Sequence, residues 1–392
     1  MLRENMKDII ILTPVFPYPK RGVFTGIERH IEGLSYALAK MESVRVQVIT
    51  SFWNDDYSHD DHFEINGVSI HRVSDLRERI GRLSGFAELD SLSLGFQMYR
   101  KLKELGKYDY LIFNMPFPYS RLIDRSSATL LHHYQPMQTL NQALSVPFGN
   151  AYFKLTSTNI YVAPSKYTAA MFTRYLGVDP SKIKIIHEGT DPKFTSGRGE
   201  RIREKIGHGI ILLYVGNLTH SKGVLELLRS FHKVSKLVSE AQLVYVGDGP
   251  LKAALQSETK ALGLEKKVIL EGFVGENDLP DYYAACDIFV SFSTLEGFGL
   301  TFAEAMFAGK PILAFNTASI GEIVGGAGLL AIPSHENSDM QQNMTKLLTN
   351  ESLRKEISLR SKQRSRLYSW DRSAALLVDA LETSNMSRKG EL

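Results

Sequence analysis

The stretch D-I-F-V-S-F-S-T-L-E-G-F-G-L-T-F-A-E, Asp287–Glu304, decides how this sequence is read. Its first five residues form a short apolar run of buried-strand type, and the segment from Leu300 onward has helical character. The chain therefore turns from strand to helix through Glu296, Gly297, Phe298 and Gly299. Glycines at that turn let the backbone approach a ligand closely, and a helix beginning near Leu300 points N–H groups and its positive dipole end at an anion. This is the composition of a phosphate or sugar-hydroxyl site. Glu304 falls about one turn into the helix, where its carboxylate would reach a ribose diol. Glu296 stands at the strand end, beside a sugar. The plainer alternative makes both glutamates N-terminal helix acids favoured by the dipole.

Outward from this point, short Val- and Ile-rich runs alternate with segments of helical periodicity, the pattern of a parallel sheet covered on both faces. After the segment, P-I-L-A-F (311–315) and G-L-L-A-I (328–332) read as strands; before it come I-I-L-L-Y-V (210–215), L-V-Y-V (243–246) and V-I-L (268–270). In the first half the strand candidates are 9–13, 46–50, 68–72, 110–113, 129–132, 160–163 and 183–186. Helices are expected from Gly26 onward and after Ser165, a candidate N-cap. Two such series predict an α/β protein with two Rossmann-like, doubly wound domains facing across a cleft, with ligands at the carboxyl ends of the strands. The expected boundaries are a first domain over 1–195, a Gly- and charge-rich linker over 196–207, a second domain over 208–369, and a helix over 370–392 crossing back to the first domain.

With 392 residues, two domains are the natural partition, and 43% hydrophobic content supports substantial cores. The charge is balanced, with 46 basic against 43 acidic residues, which argues against a nucleic-acid wrapper with a continuous basic face. Cys286 is the one cysteine, so an internal disulfide and a thiolate metal site are excluded, and a reducing cytoplasm fits. No apolar run approaches the ~20 residues of a membrane span. The N-terminus superficially resembles a signal peptide, but acids interrupt its charged start and Pro14 ends the apolar run, so it reads as a first buried strand.

Further loops invite a ligand. G-N-L-T-H-S-K-G (216–223) lies between a strand and a helix, where a diphosphate would meet Gly216, Asn217 and the Lys222 cation. A lysine there opposes the helix dipole, which hints at an anion partner. P-K-R-G-V-F-T-G-I-E (19–28) occupies the equivalent loop of the first domain, and His132 and His133 close the strand A-T-L-L-H-H-Y. The polar stretch N-D-D-Y-S-H-D-D-H (54–62) has metal-ligand chemistry but reads as a solvated loop. G-D-G-P-L-K (247–252) begins like a dinucleotide fingerprint and lacks its third glycine.

Taken together these motifs resemble the retaining glycosyltransferases of family 4, with a GT-B fold. The likeness rests on E-G-F-G-L-T-F-A-E with V-I-L-E-G-F-V, L-P-D-Y-Y-A-A-C-D-I-F-V, E-A-M-F-A-G-K-P-I-L-A and I-G-E-I-V in the second half. In the first half it rests on T-G-I-E-R-H, the H-H-Y strand end, A-P-S-K-Y-T and I-I-H-E-G-T-D-P-K-F, and at the end on Y-S-W-D-R-S-A-A-L-L. The resemblance implies that Glu304 binds the nucleotide ribose and Glu296 the donor sugar, with Gly297, Phe298, Gly299 and Leu300 lining the donor. It assigns the diphosphate to Lys222, with Gly26 approaching from across the cleft, the base to the backbone near Phe273 and Val274, and the sugar to His132 or His133. The sequence departs from the family pattern at Asn217, where an arginine is frequent, at Thr25-Gly26 in place of a glycine pair, and at Phe292-Ser293 in place of Pro-Ser.

The implied reaction moves a sugar from a UDP- or GDP-sugar donor to a glycan or lipid-linked acceptor, with no cofactor. No Asp-x-Asp metal motif occurs, so Lys222 and helix N-termini are expected to stabilise the leaving diphosphate without a metal. A GT-B nucleotide-sugar epimerase and a non-catalytic sugar-nucleotide-binding subunit are the competing readings. L-R-E-R-I-G-R-L-S-G-F (76–86) places Arg77, Arg79 and Arg82 beside apolar residues at roughly helical spacing, compatible with peripheral contact at an anionic inner membrane face and equally with packing on the first domain's own sheet.

Overall fold

In the computed structural model the described residues are 6–17, 26–51, 61–74, 87–114, 126–131, 158–207 and 209–389. They form two compact units, Met1–Gly189 with Trp370–Leu392, and Thr190–Ser369.

The first unit contains β1 (Lys7–Leu12), α1 (Gly26–Ala39), β2 (Val44–Ser51), β3 (His62–Ile65), β4 (Val68–Val73), α2 (Ala87–Leu105), β5 (Tyr110–Asn114), β6 (Ser126–Leu130), β7 (Thr158–Ala163), α3 (Lys166–Leu176) and β8 (Ile183–Ile185). The sheet order is β3-β4-β2-β1-β5-β6-β7-β8. Only β3 runs antiparallel among the described pairings, folding back on β4 through Asn66 and Gly67 at φ 49° and 80°. An Asn-Gly pair with both residues at positive φ is the turn that matches strand twist, and it supplies an edge strand absent from the expected set. Ile9, Ile10, Ile11 and Leu12 of β1 are almost wholly buried, as a strand covered on both faces must be. The Ser165 hydroxyl accepts from the Thr168 N–H and caps α3.

The terminal helix Trp370–Lys389 belongs to this unit. Trp370 lies over Gly33 of α1 and Gly189, positions where any Cβ would overlap its indole. Its ring meets His30 edge-on at 5.5 Å, and His30 Nδ1 stands 3.1 Å from Glu188 Oε1. Ser373 donates to the His187 carbonyl at 2.7 Å.

The second unit contains α4 (Glu200–Ile206), β9 (Ile210–Val215), α5 (Val224–Val234), β10 (Ala241–Val246), α6 (Lys252–Ala261), β11 (Val268–Gly272), α7 (Leu279–Ala285), β12 (Ile288–Ser291), α8 (Leu300–Phe307), β13 (Ile312–Phe315), α9 (Ile320–Val324), β14 (Gly328–Ala331), α10 (Ser338–Thr349) and α11 (Glu351–Ser365). Its strands lie in the order β11-β10-β9-β12-β13-β14, all parallel. That is the doubly wound order, whose direction reverses between β9 and β12. Buried helix faces such as Val224, Leu227, Leu228, Phe231 and Val234 of α5 cover the sheet.

The segment expected as a linker running into a short helix contains that helix, α4. The unit boundary falls between Gly189 and Thr190, and 196–207 packs as part of the second unit. Gly197 and Gly199 press against the backbone of Pro280 and Ala284–Ala285, and the Arg198 N–H donates to Asp281 at 2.6 Å. Arg203 holds Asp287 at 2.8 Å, whose other oxygen accepts from the Ile211 N–H. The glycines serve close packing here, not freedom. Cys286 is buried, and burial pushes its thiol up to about 12, so it is a packing residue. Among the described residues no helix is long and apolar enough to cross a membrane.

Candidate active site

The reversal between β9 and β12 gathers the second unit's candidate residues at the carboxyl ends of those two strands. After β9 the chain passes Gly216, Asn217 and Leu218, makes a single 3-10 turn at His220–Lys222, and enters α5 through Gly223. After β12 it passes Phe292–Gly299 and enters α8. Backbone and side-chain bonds join the two loops. Thr294 donates to the Ser221 carbonyl from its N–H at 3.1 Å and from its hydroxyl at 3.3 Å. At Gly223, φ 62°, a Cβ would meet the Phe292 carbonyl oxygen, so a side chain there would collide with the neighbouring strand end. Gly223→Ala combines that overlap with an unfavourable backbone region and should destabilise the protein by about 1–3 kcal/mol. Denaturant unfolding measures this; a loss under about 0.5 kcal/mol, the range of an ordinary surface substitution, would contradict the close approach.

Across this junction Lys222 Nζ meets Glu296 Oε1 at 2.6 Å. Their side chains retain 26% and 15% of their exposure, so the pair is largely shielded from solvent. The Glu296 charge and burial together raise the Tyr214 hydroxyl well above its ordinary value, burial being the larger cause. Tyr214 thus stays a neutral donor, and it bonds the Asn217 carbonyl at 2.9 Å from below the loop. The Asn217 side chain is exposed. The buried Ser319 hydroxyl lies 3.0 Å from the Glu296 carbonyl and 3.1 Å from the Phe298 carbonyl, fixing the glycine turn from behind.

Gly299 takes φ 95° and ψ 70° and leads into α8 without a side-chain cap. An anion at this end would find the helix's N-terminal N–H groups and dipole. Glu304 is not a solvated helix acid. It is 4% exposed on a helix otherwise burying Phe302, Ala303, Ala305 and Met306, and Tyr283 donates to its Oε2 at 2.6 Å. A carboxylate in apolar surroundings costs free energy unless hydrogen-bonded, so its placement is a chemical signal.

Other expected residues fall apart from this pair. Phe273 and Val274 follow β11 on the same carboxyl edge, two strands away from β9; Phe273 is 54% exposed and Val274 partly buried. Phe292, in place of proline, is fully buried with its ring centroid 4.9 Å from that of Phe315. The two glycines of G-D-G-P-L-K serve the neighbouring loop: at Gly247 and Gly249 a Cβ would run into the backbone of Gly216 and Leu218. That stretch supports the site loop from beneath.

In the first unit, Gly26 is the exposed first residue of α1. The strand expected to close at His132 ends at Leu130. His132, His133, the loop 18–25 and the arginines of 76–86 lie outside the described residues, as does most of 54–62. At the carboxyl ends of β1 and β5, buried Asn114 donates to Thr13 Oγ1 at 2.9 Å. Among the described residues no group of three or more His, Cys, Asp or Glu side chains is placed to hold a metal ion. Tyr214, Tyr283 and Ser319 escaped the sequence reading, because nothing in local spacing reveals which distant polar atom a buried hydroxyl meets.

Two family models tile this chain: glycosyl transferases group 1 over residues 200–364, and glycosyltransferase family 4 over residues 24–194. An uncharacterized glycosyltransferase of Methanocaldococcus jannaschii is 24% identical over 388 residues, 92% of this chain and 95% of the relative. Mannosylfructose-phosphate synthase of Agrobacterium fabrum is 30% identical over 245 residues, and the match spans 59% of this chain and only 54% of that enzyme. Among solved structures, sucrose-phosphate synthase from Thermosynechococcus elongatus superposes with a TM-score of 0.77 at 18% identity over 98% of both chains. Anabaena HepE in complex with UDP-glucose gives 0.71 at 17% identity over 96% of this chain and 100% of that one. At such identities the likeness is one of fold.

Proposed function

The chain belongs to the group 1 glycosyltransferases and has their GT-B fold of two Rossmann-like domains, and from that premise we propose that it transfers a sugar from a UDP- or GDP-sugar to a glycan or lipid-linked acceptor. The observation that carries this reading is the Lys222–Glu296 pair, 2.6 Å apart at the two strand ends where the second sheet reverses. Lys222 takes the diphosphate and Glu296 the donor sugar. Glu304 takes the ribose, while the backbone at Phe273 and Val274 takes the base. The resemblance adds Gly26 at the diphosphate and His132 or His133 at the sugar. Anabaena HepE, which shares the fold, is a UDP-glucose complex, and that supports a nucleotide-sugar donor.

In the proposed reaction the bond from the sugar's anomeric carbon to the β-phosphate oxygen breaks, both electrons leaving on that oxygen. The acceptor hydroxyl oxygen bonds to the same carbon from the same face, and its proton passes to the departing diphosphate. Negative charge grows on the leaving group, so a fixed cation and oriented N–H groups lower the barrier directly. Lys222 and the N-terminus of α8 are the groups proposed for this, without a metal. Incubation with UDP- and GDP-sugars and candidate acceptors should yield free nucleoside diphosphate and an extended acceptor of unchanged anomeric configuration, at a rate indifferent to chelator. Activity lost to chelator and restored by manganese would contradict metal independence. An isomerised free sugar would indicate an epimerase, and no donor consumption a binding subunit.

A further inference from the structure

We infer that Tyr283 is a positioning residue for nucleotide recognition: its phenol orients the Glu304 carboxylate so that the site distinguishes ribose from deoxyribose. This rests on the reading that Glu304 meets the ribose. Tyr283 is fully buried in α7, yet its hydroxyl reaches a carboxylate on a different helix, donating to Glu304 Oε2 at 2.6 Å. The distance is that of a short, well-formed hydroxyl–carboxyl hydrogen bond. A second oxygen, the Thr301 carbonyl, lies farther away at 3.4 Å, so the carboxylate is the principal acceptor.

The phenol has little freedom to point elsewhere. Its ring stands perpendicular to Phe194 at 5.4 Å and tilted over Phe289 at 5.8 Å. Phe289 in turn packs edge-on against Phe302 of α8, the helix that carries Glu304. The aromatic stack thus fixes donor and acceptor to the same piece of core. A carboxylate offers about four lone-pair directions on two oxygens, and a fixed donor on Oε2 helps to select the rotamer and the orientation of the others. A ribose diol presents two hydroxyls as donors in a fixed fork, so recognition depends on that orientation as much as on the charge. Discrimination by buried polar groups is steep because an analogue lacking the hydroxyl leaves them unpaired.

The test is calorimetric binding of uridine diphosphate and guanosine diphosphate, each with its 2′-deoxy and 3′-deoxy counterparts, to the wild type, Glu304→Ala and Tyr283→Phe. The wild type should bind one of the ribonucleotides at least about tenfold more tightly than its deoxy forms. Glu304→Ala should lose that ratio. Tyr283→Phe should bind the ribonucleotide about tenfold more weakly with the ratio reduced to about twofold, the deoxy forms being little affected. If Glu304→Ala loses the ratio while Tyr283→Phe keeps it, or weakens all forms equally alongside a lower melting temperature, Tyr283 is structural and the inference is overturned. If Glu304→Ala keeps the ratio, or the wild type binds neither diphosphate, the reading of Glu304 falls first and the inference with it. Should Tyr283→Phe not fold, site-specific 3-fluorotyrosine at position 283 keeps the ring and changes only the strength of the donor; a ratio that does not respond then counts against the inference.

Discussion

Lys222→Ala should lower kcat/KM for the nucleotide-sugar by about 10²–10³-fold, the effect of removing one preorganised donor from a developing oxyanion. The loss should appear in kcat, since charge on the diphosphate is greatest as the sugar departs. Asn217 sharpens the expectation. A guanidinium is frequent at that place in the family pattern, whereas here the residue is an exposed amide, so under the proposed reading Lys222 carries more of the neutralisation. The Lys222–Glu296 pair keeps only 26% and 15% side-chain exposure, so Lys222→Ala also leaves the Glu296 carboxylate without this cation and a loss of stability has to be measured alongside activity. Steady-state kinetics with a melting curve as control decide the matter. Activity within about threefold of the wild type, far below the loss of an oxyanion donor, would remove Lys222 from the chemistry.

The two glutamates should separate kinetically. Glu304→Ala should raise the donor KM at least about tenfold, because on the proposed reading it strips the carboxylate acceptor from the ribose hydroxyls. Glu296→Ala should chiefly lower kcat, because its carboxylate stands at the Lys222 ammonium, the place proposed for the departing sugar. Their physical settings already differ: Glu304 is buried against Tyr283, whereas Glu296 lies in a loop whose carbonyl is held by Ser319. Glu304→Ala also leaves the Tyr283 hydroxyl without its carboxylate, a cost of about 1–3 kcal/mol that the melting temperature should register. Both variants showing only lower melting temperatures, with kcat and KM unchanged, would make the pair ordinary helix-terminus acids.

Much of this was legible because parallel strands announce themselves. All thirteen expected strands are present, most within two residues of their expected ends, since runs such as I-I-L-L-Y-V are buried on both faces and leave little ambiguity of period. The edge strand His62–Ile65 was passed over although Asn66-Gly67 marks its turn, because a four-residue strand with two exposed positions lacks the apolar weight of its neighbours. The packing of 196–207 within the second unit was hidden for a related reason. Gly197 and Gly199 look like flexible punctuation in sequence, and only the tertiary structure shows them as the places where α7 comes too close for a side chain. At the site, glycine positions and charge types were readable because they act locally. The bond from Tyr283 to Glu304 joins residues twenty-one positions apart, and Ser319 reaches back twenty-three to Glu296, so neither could be found by spacing.

Hydrogen exchange with and without a nucleoside diphosphate tests the central claim most directly, since a ligand protects the segments that it orders or caps. With uridine or guanosine diphosphate at saturation, backbone amides in 216–224 and 296–304 should slow in the wild type and respond far less in Lys222→Ala. Protection confined to other segments, or unchanged exchange in both loops despite measurable binding, would contradict a nucleotide-sugar site at the β9 and β12 strand ends.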